Sequence, residues 1–341
     1  MTFVNAKRQA ILVLAALGLF IAAGCEEKAK EKTNETTATT TQTAADTTTK
    51  EEPGVEKLIF AFQPQENPEG LQLNGKKLAE FMEKETGIKC EIFVPTSYAA
   101  VVEALRGNNA HVAYFSGWPY LIAHNTAGVE LLVAEERDGK PFYYSQWYVA
   151  KDSPIKDLSE LKGKNIAFTS QTSTSGYLFP LAKVVEEGHL KPKQDPKEFF
   201  GEVLFAGGYE AALKALVAGK VEAAAASDYA PGRYLSEEEQ GKIRVLVKQG
   251  PAPTHGIAIK SDLPQEVKDK VKAALLKLNA DENKELLKSI YGAEKLVERT
   301  HDEHVAALDK AQKAVGADYP LEKKKEAAAP EKKEGEEAPA K

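Results

Sequence analysis

Cysteine is nearly absent from this sequence: Cys25 and Cys90 are the only two in 341 residues. That count excludes a disulfide framework and a CxxC metal or redox site. No apolar run is long enough to cross a bilayer as a helix. The longest, residues 10–23, has 14 members, against the roughly 20 that a crossing helix needs. A basic surplus is missing too. Lys and Arg total 45 against 51 Asp and Glu, a net charge of −6, which leaves no electrostatic footprint for nucleic acid. The same acidic balance argues against broad steering of an anion. An anion site in this chain has to be built locally, from donors aimed at the ligand.

The two ends of the chain read as extensions of a folded middle. Lys7 and Arg8 precede the apolar run, which closes on small residues and Cys25; residues 1–24 read as a signal peptide. Small residues followed by Cys resemble a bacterial lipoprotein processing site, which implies cleavage before Cys25 and lipid on its sulfur. Ala22 stands where such sites usually carry Leu. Residues 25–54 read as a disordered tether, since residues 33–49 hold ten threonines and no apolar periodicity. Residues 322–341 hold six Lys and six Glu among Ala and Pro and read as a disordered tail. Cys90 opens the apolar stretch 90–94 and reads as a small buried hydrophobe.

Between the ends, strand and helix patterns alternate. Strands are expected at 57–62, 90–94, 111–115, 129–134, 146–150, 165–168, 202–205, 223–226, 243–247 and 255–259. Helices are expected at 71–85, 98–106, 119–125, from 175 onward, 210–218, 264–278, 282–290 and 304–315. Such alternation implies an α/β fold with mostly parallel sheets covered on both faces by helices. Two lobes joined by two crossing segments accommodate this many strands. Pro and Gly cluster near 150–154 and 249–255, which predicts the crossings there. Lobe one is then 55–150 plus 255–321, and lobe two is 151–254 with the crossing segments. Ligands of such folds bind beyond the carboxyl ends of strands.

One segment stands out at such a strand end. Residues 169–175 contain six hydroxyls and no cation: Thr169, Ser170, Thr172, Ser173, Thr174 and Ser175. A helix begins within the run. One or two hydroxyls are enough to cap it, so the density is in excess of capping. The unpaired N–H groups of a first turn and the helix dipole favour an anion, and hydroxyls add donors. Gly176 would let the backbone approach a ligand closely. The segment has neither the Gly-x-x-x-x-Gly-Lys-Ser/Thr phosphate loop nor the Gly-x-Ser-x-Gly nucleophile elbow. That argues for binding over a hydrolase using Ser173 or Ser175.

The run SQTSTSGYLFP (170–180) resembles the signature of the phosphate/phosphite/phosphonate-binding receptors of ABC transporters. YAAVVEALRG (98–107), AHVAYFSG (110–117), ALVAGKVEAA (215–224) and PAPTHG (251–256) are similar to further segments of that family, so the resemblance covers the whole folded middle. It implies a two-lobed periplasmic-binding protein type II fold with the ligand between the lobes. It implies that Ser173, Thr174 and Ser175 bind phosphoryl oxygens, helped by Thr172, and that Tyr98 and Asp228 are ligand contacts. Family members often carry His in the segment that here reads Gly207-Gly208-Tyr209-Glu210, so Tyr209 takes the place of a group that could be cationic. The resemblance also implies a membrane permease as partner, a monomeric receptor at the outer face of the cytoplasmic membrane or in the periplasm, and no cofactor. A receptor for an alkyl sulfonate or a thiamine precursor is the nearest alternative.

Other residues are candidates by position. A carboxylate at Asp228 suits a ligand that carries a proton, because P–OH can donate where sulfate cannot; Asp228 is therefore the candidate filter against sulfate. Ser116 lies on the turn after the third strand and could supply a donor. Tyr114, Trp118, Tyr120 and His255 are candidates for the pocket wall. His301 and His304 share a helix, expected to be a solvated acidic one rather than a metal site.

Overall fold

The computed structural model describes residues 55–65 and 68–317. The expected signal peptide, the lipidation site Cys25, the tether and the tail lie outside these residues. The strands are β1 (Lys57–Phe62), β2 (Lys89–Phe93), β3 (Val112–Phe115), β4 (Val129–Glu136), β5 (Phe142–Ala150), β6 (Ile166–Phe168), β7 (Val203–Phe205), β8 (Ala223–Ser227), β9 (Ile243–Pro253), β10 (Gly256–Lys260) and β11 (Lys295–Val297). The helices are α1 (Pro68–Thr86), α2 (Tyr98–Arg106), α3 (Gly117–Ala127), α4 (Phe179–Glu186), α5 (Tyr209–Val217), α6 (Ala230–Tyr234), α7 (Glu237–Gln240), α8 (Gln265–Lys277), α9 (Lys284–Tyr291), α10 (His301–Val305) and α11 (Leu308–Val315).

Two sheets organise two lobes. The first runs β11-β4-β10-β3-β1-β2 and the second β7-β6-β8-β5-β9. Strand alternation sends side chains to both faces, and helices cover both. In lobe one, Leu58, Phe60, Ile257 and Ile259 meet Leu78 and Met82 of α1 and Val271 and Leu275 of α8. On the other face, Ala61, Ala113 and Phe115 meet Val101 and Leu105 of α2 and Leu121 of α3. In lobe two, Trp147, Phe168 and Ala225 face Leu181 and Val184 of α4, while Ala224 and Ala226 face Ala212 and Leu213 of α5. All five residues of β8 are buried. Its alanines let α4 and α5 approach the central strand from both sides. Cys90 is buried, and desolvation pushes its thiol up to about 11, as a small core residue would show.

The structure corrects three expectations. The sheets are mixed rather than mostly parallel: β1 pairs parallel with β2 and β3, and β6 with β7 and β8, but β10, β4, β11, β5 and β9 make antiparallel pairs. The cause is the return of the chain between lobes. Strands β5 and β9 run side by side in opposite directions, and their lobe-one ends, Tyr143 and Ala252, are buried in a lobe-one core. Consequently the crossings lie at residues 137–141 and 254–255, and β5 belongs to the second sheet, not to lobe one. The third correction concerns α11. It was expected in lobe one, yet Leu308 and Ala311 pack with Phe179 and Ala182 of α4, and Val315 O accepts the Lys193 N–H at 3.0 Å. An apolar stripe at helical spacing made this helix sticky without saying what it would cover.

Candidate functional site

The hydroxyl segment follows β6 and enters a helix whose first turn is wide. The Leu178 N–H reaches back to Ser173 O at 3.0 Å, so residues Thr174–Leu178 form a π turn before α4. Ser173 caps it, accepting the Gly176 N–H on Oγ at 3.1 Å. Ser173, Thr174 and Ser175 are fully buried. Gly176 has a different role from the one its sequence position suggested. A Cβ there would lie 2.1 Å from Thr169 Oγ1, so glycine lets the turn close on Thr169, which itself donates to Ala225 O at 3.2 Å. Thr172 is only half buried, and its hydroxyl pairs with Ser170 Oγ at 3.3 Å within the loop.

Two of the triplet's hydroxyls, those of Thr174 and Ser175, are bonded from outside the turn. Thr174 Oγ1 accepts the Trp118 N–H at 2.8 Å, joining lobe two to the start of α3 in lobe one. Ser175 Oγ pairs with Tyr209 Oη at 2.7 Å. Ser175 O accepts from Ser145 Oγ at 2.6 Å, and Ser145 Oγ in turn accepts from Gln249 Nε2 at 2.8 Å. The β5–β9 ribbon thereby holds the turn from behind.

Five buried polar atoms make no well-formed hydrogen bond among the described residues: Tyr98 Oη, Tyr143 Oη, Gln63 Nε2, Gln65 Nε2 and Ser227 Oγ; Tyr98 neighbours Gln63, and Tyr143 neighbours Ser175 of the turn and Tyr209. They converge from both lobes. Burial together with the neighbouring phenols of Tyr209 and Tyr234 pushes the Tyr98 hydroxyl well up, and burial with Tyr209 does the same to Tyr143. Burial also raises Tyr209. All three phenols are thus protonated donors at neutral pH. Gln63 is held by its other end: Ser116 donates its N–H to Gln63 Oε1 at 3.1 Å and its hydroxyl at 3.3 Å, which leaves the amide N–H groups as the unsatisfied part. Tyr229 and Tyr234 approach Gln65 Oε1 at 3.5 and 3.3 Å. Ser227 stands opposite Ser145 in the β8–β5 register. Leaving one such group unpaired in a protein interior costs about 1–3 kcal/mol, so five in one place mark a site made for a polar guest. The set is rich in donors and holds no cation, which suits a small oxyanion held by hydrogen bonds.

Asp228 is not among these buried, unpartnered groups. The carboxylate is half buried and raised by desolvation, while the backbone amides of Tyr144, Asp228 and Tyr229 and the charge of Lys248 lower it. None of those neighbours belongs to the hydroxyl turn. Its chain neighbour Ser227 is the one with a buried, unpartnered hydroxyl.

The expected pocket wall divides. Tyr120 is a core residue of lobe one, its Oη 2.7 Å from His301 Nδ1. Trp118 packs in the same core and contributes to the site through its backbone. Tyr114 donates to Glu135 Oε1 at 2.6 Å and stacks on His255 at 5.1 Å. His255 also stacks on Tyr143 at 5.8 Å and stays neutral, because burial and the guanidinium of Arg137 depress it. These two line the hinge beside the site. His304, expected on a solvated helix, is buried, and desolvation lowers its pKa to about 3. Sequence reading passed over Gln63, Gln65 and Tyr143. The first two directly follow β1, a strand end where binding loops are expected; Tyr143 looked like strand core.

A sequence profile of the family described as "ABC transporter, phosphonate, periplasmic substrate-binding protein" matches residues 60–304. The Phosphate-import protein PhnD of Mycolicibacterium smegmatis is 29% identical over 225 residues, spanning 64% of this chain and 70% of that one. The Phosphonates-binding periplasmic protein of Escherichia coli is 25% identical over 221 residues, 63% of this chain and 64% of its own. Among solved structures, a binding protein component of an ABC phosphonate transporter from Pseudomonas aeruginosa superposes with a TM-score of 0.70 at 20% identity, covering 78% of this chain and 88% of the other. PhnD1 from Prochlorococcus marinus in complex with methylphosphonate gives 0.67 at 16% identity, covering 77% and 100%. These structures share the two-lobed fold.

Proposed function

We propose a function from one premise: this chain belongs to the family of periplasmic substrate-binding proteins of phosphonate ABC transporters. It is the solute-binding component of an importer and captures a phosphorus oxyanion, a phosphonate, phosphite or phosphate, for delivery to a membrane permease. The observation that carries the reading is the convergence of buried, unpartnered polar groups of both lobes on the Ser173–Thr174–Ser175 turn. Phosphoryl oxygens accept from the N–H groups of the first turn, from the triplet hydroxyls and from Tyr98, Tyr143, Tyr209 and the Gln63 and Gln65 amides. Groups from both lobes meet on one ligand, so the ligand binds the closed form better than the open one and shifts the population towards it.

In this reading the protein works outside the cytoplasmic membrane as a monomer, held by lipid on Cys25. Export is what its family does; the anchor rests on the small residues that precede Cys25. The test is calorimetric titration of the chain with phosphate, phosphite, methylphosphonate, 2-aminoethylphosphonate and sulfate. Binding of at least one phosphorus oxyanion in preference to sulfate is expected. Tighter binding of sulfate, or turnover of a phosphoryl ester, would overturn the reading.

A further inference from the structure

Arg137 lies one residue beyond β4, at the start of the first crossing. Its backbone closes a tight turn with Lys140, the two N–H···O bonds measuring 3.0 and 2.9 Å. Its guanidinium is held on its edges. Nε donates to Glu135 Oε2 at 2.9 Å, Nη2 to Glu135 Oε1 at 3.0 Å, and Nη1 to Gly292 O at 2.8 Å. Glu135 is fully buried and receives the Tyr114 hydroxyl as well. The hydrogen bonds use the edges of the guanidinium and leave a flat face, whose centre lies 4.3 Å from the ring centroid of Tyr229.

Tyr229 follows β8 and belongs to lobe two. Its ring meets Tyr143 edge-on at 5.4 Å and Tyr209 at 6.1 Å, and Tyr209 pairs with Ser175. An unbroken line of contacts therefore runs from a fixed cation in lobe one, through Tyr229, to the oxyanion turn. A guanidinium already locked by a carboxylate and a carbonyl loses little freedom when a ring settles on it.

We propose that Arg137 is a positioning residue for capture: it gives Tyr229 of the opposite lobe a fixed cationic seat, formed when the lobes close, and so couples anion binding to closure. The proposal rests on the phosphorus-oxyanion reading above. A stack made only in the closed arrangement contributes differential affinity for that state.

The test uses the full chain in mild detergent, titrated calorimetrically with inorganic phosphate and with methylphosphonate, with contraction followed by small-angle X-ray scattering. Tyr229→Leu should weaken binding about tenfold and reduce the contraction. Tyr229→Phe, which keeps the ring face, should recover most of both, and Arg137→Lys part. Arg137→Met is made together with Glu135→Gln, so that no buried carboxylate is left unpaired; it should match Tyr229→Leu. If Tyr229→Leu binds and contracts like the parent, or if Tyr229→Phe is as impaired as Tyr229→Leu, the proposal fails while the ligand reading stands. A parent chain that binds no phosphorus oxyanion, phosphite and 2-aminoethylphosphonate included, overturns the ligand reading and this proposal with it.

Discussion

Thr174 of lobe two and Trp118 of lobe one are tied directly, the Trp118 N–H donating to Thr174 Oγ1 at 2.8 Å. The hydroxyl sits in the oxyanion turn and the N–H opens α3, so the bond forms only where the lobes meet. Thr174→Val keeps the shape and removes the acceptor. A bond of this kind contributes about 0.5–1.5 kcal/mol, so phosphate affinity should fall by roughly three- to tenfold from this loss alone, and further if the hydroxyl also holds the ligand. Thr174→Ser should stay near the parent. Calorimetry on the two variants decides it; equal affinities would remove Thr174 from the site.

Tyr209 is a fully buried phenol beside the triplet. Its hydroxyl pairs with Ser175 at 2.7 Å and stays protonated because burial raises it. Tyr209→Phe and Ser175→Ala should each weaken phosphate binding, and the double variant should lose less than the sum, with a coupling of about 0.5–3 kcal/mol expected for residues in contact. Strict additivity would mean that the two groups act separately.

The surroundings of Asp228 lend its expected role as a filter against sulfate no support. Its neighbours are backbone amides and Lys248, so Asp228→Asn should leave both phosphate affinity and the preference over sulfate within about twofold of the parent, below the cost of a lost charged hydrogen bond. Competition titration with sulfate checks this. A clear gain of sulfate binding would restore the carboxylate as the selectivity filter.

Two buried histidines predict acid sensitivity. Burial depresses His255 well below its ordinary value and takes His304 to about 3, with Arg137 and Arg233 adding to the first and Arg299 and His301 to the second. The unfolded chain takes up these protons near pH 6.5 and the folded chain does not. Their stabilisation is therefore present above pH 6.5 and is lost as pH falls towards 3, by about 1.4 kcal/mol per pH unit for each histidine. Burial raises Glu135, whose earlier protonation in the folded chain offsets part of this loss, so the range to read is the acid side of pH 6.5. Melting temperature should fall across it, and His304→Gln should make the fall shallower. A flat profile would contradict the burial of both rings.

The anchor is open to a direct check. Cys25→Ala should abolish incorporation of labelled fatty acid and move the exported protein from the detergent phase to the aqueous phase on phase separation. Continued labelling would place the lipid elsewhere.

Much of this protein was determined locally. The strand at 57–62 alternates apolar faces, the helix at 98–106 carries a Ser cap before it and Gly107 after it, and the hydroxyl run announces a helix start with more donors than capping uses. Those features depend on neighbours in sequence, so the sequence alone carried them: the α/β alternation, the two lobes and the Ser173–Ser175 turn. The tertiary structure decided what depends on distance across the fold. It put β5 with the second sheet, laid α11 on α4, buried the Ser227 hydroxyl without a partner, and brought Tyr143, Gln63 and Gln65 to a segment that lies from 30 to more than 100 residues away in the sequence. A hydrophobic stripe or a lone tyrosine states that it will be buried, not against what. Only the packed chain pairs the Trp118 amide with Thr174, and that pairing is what makes two lobes into one site.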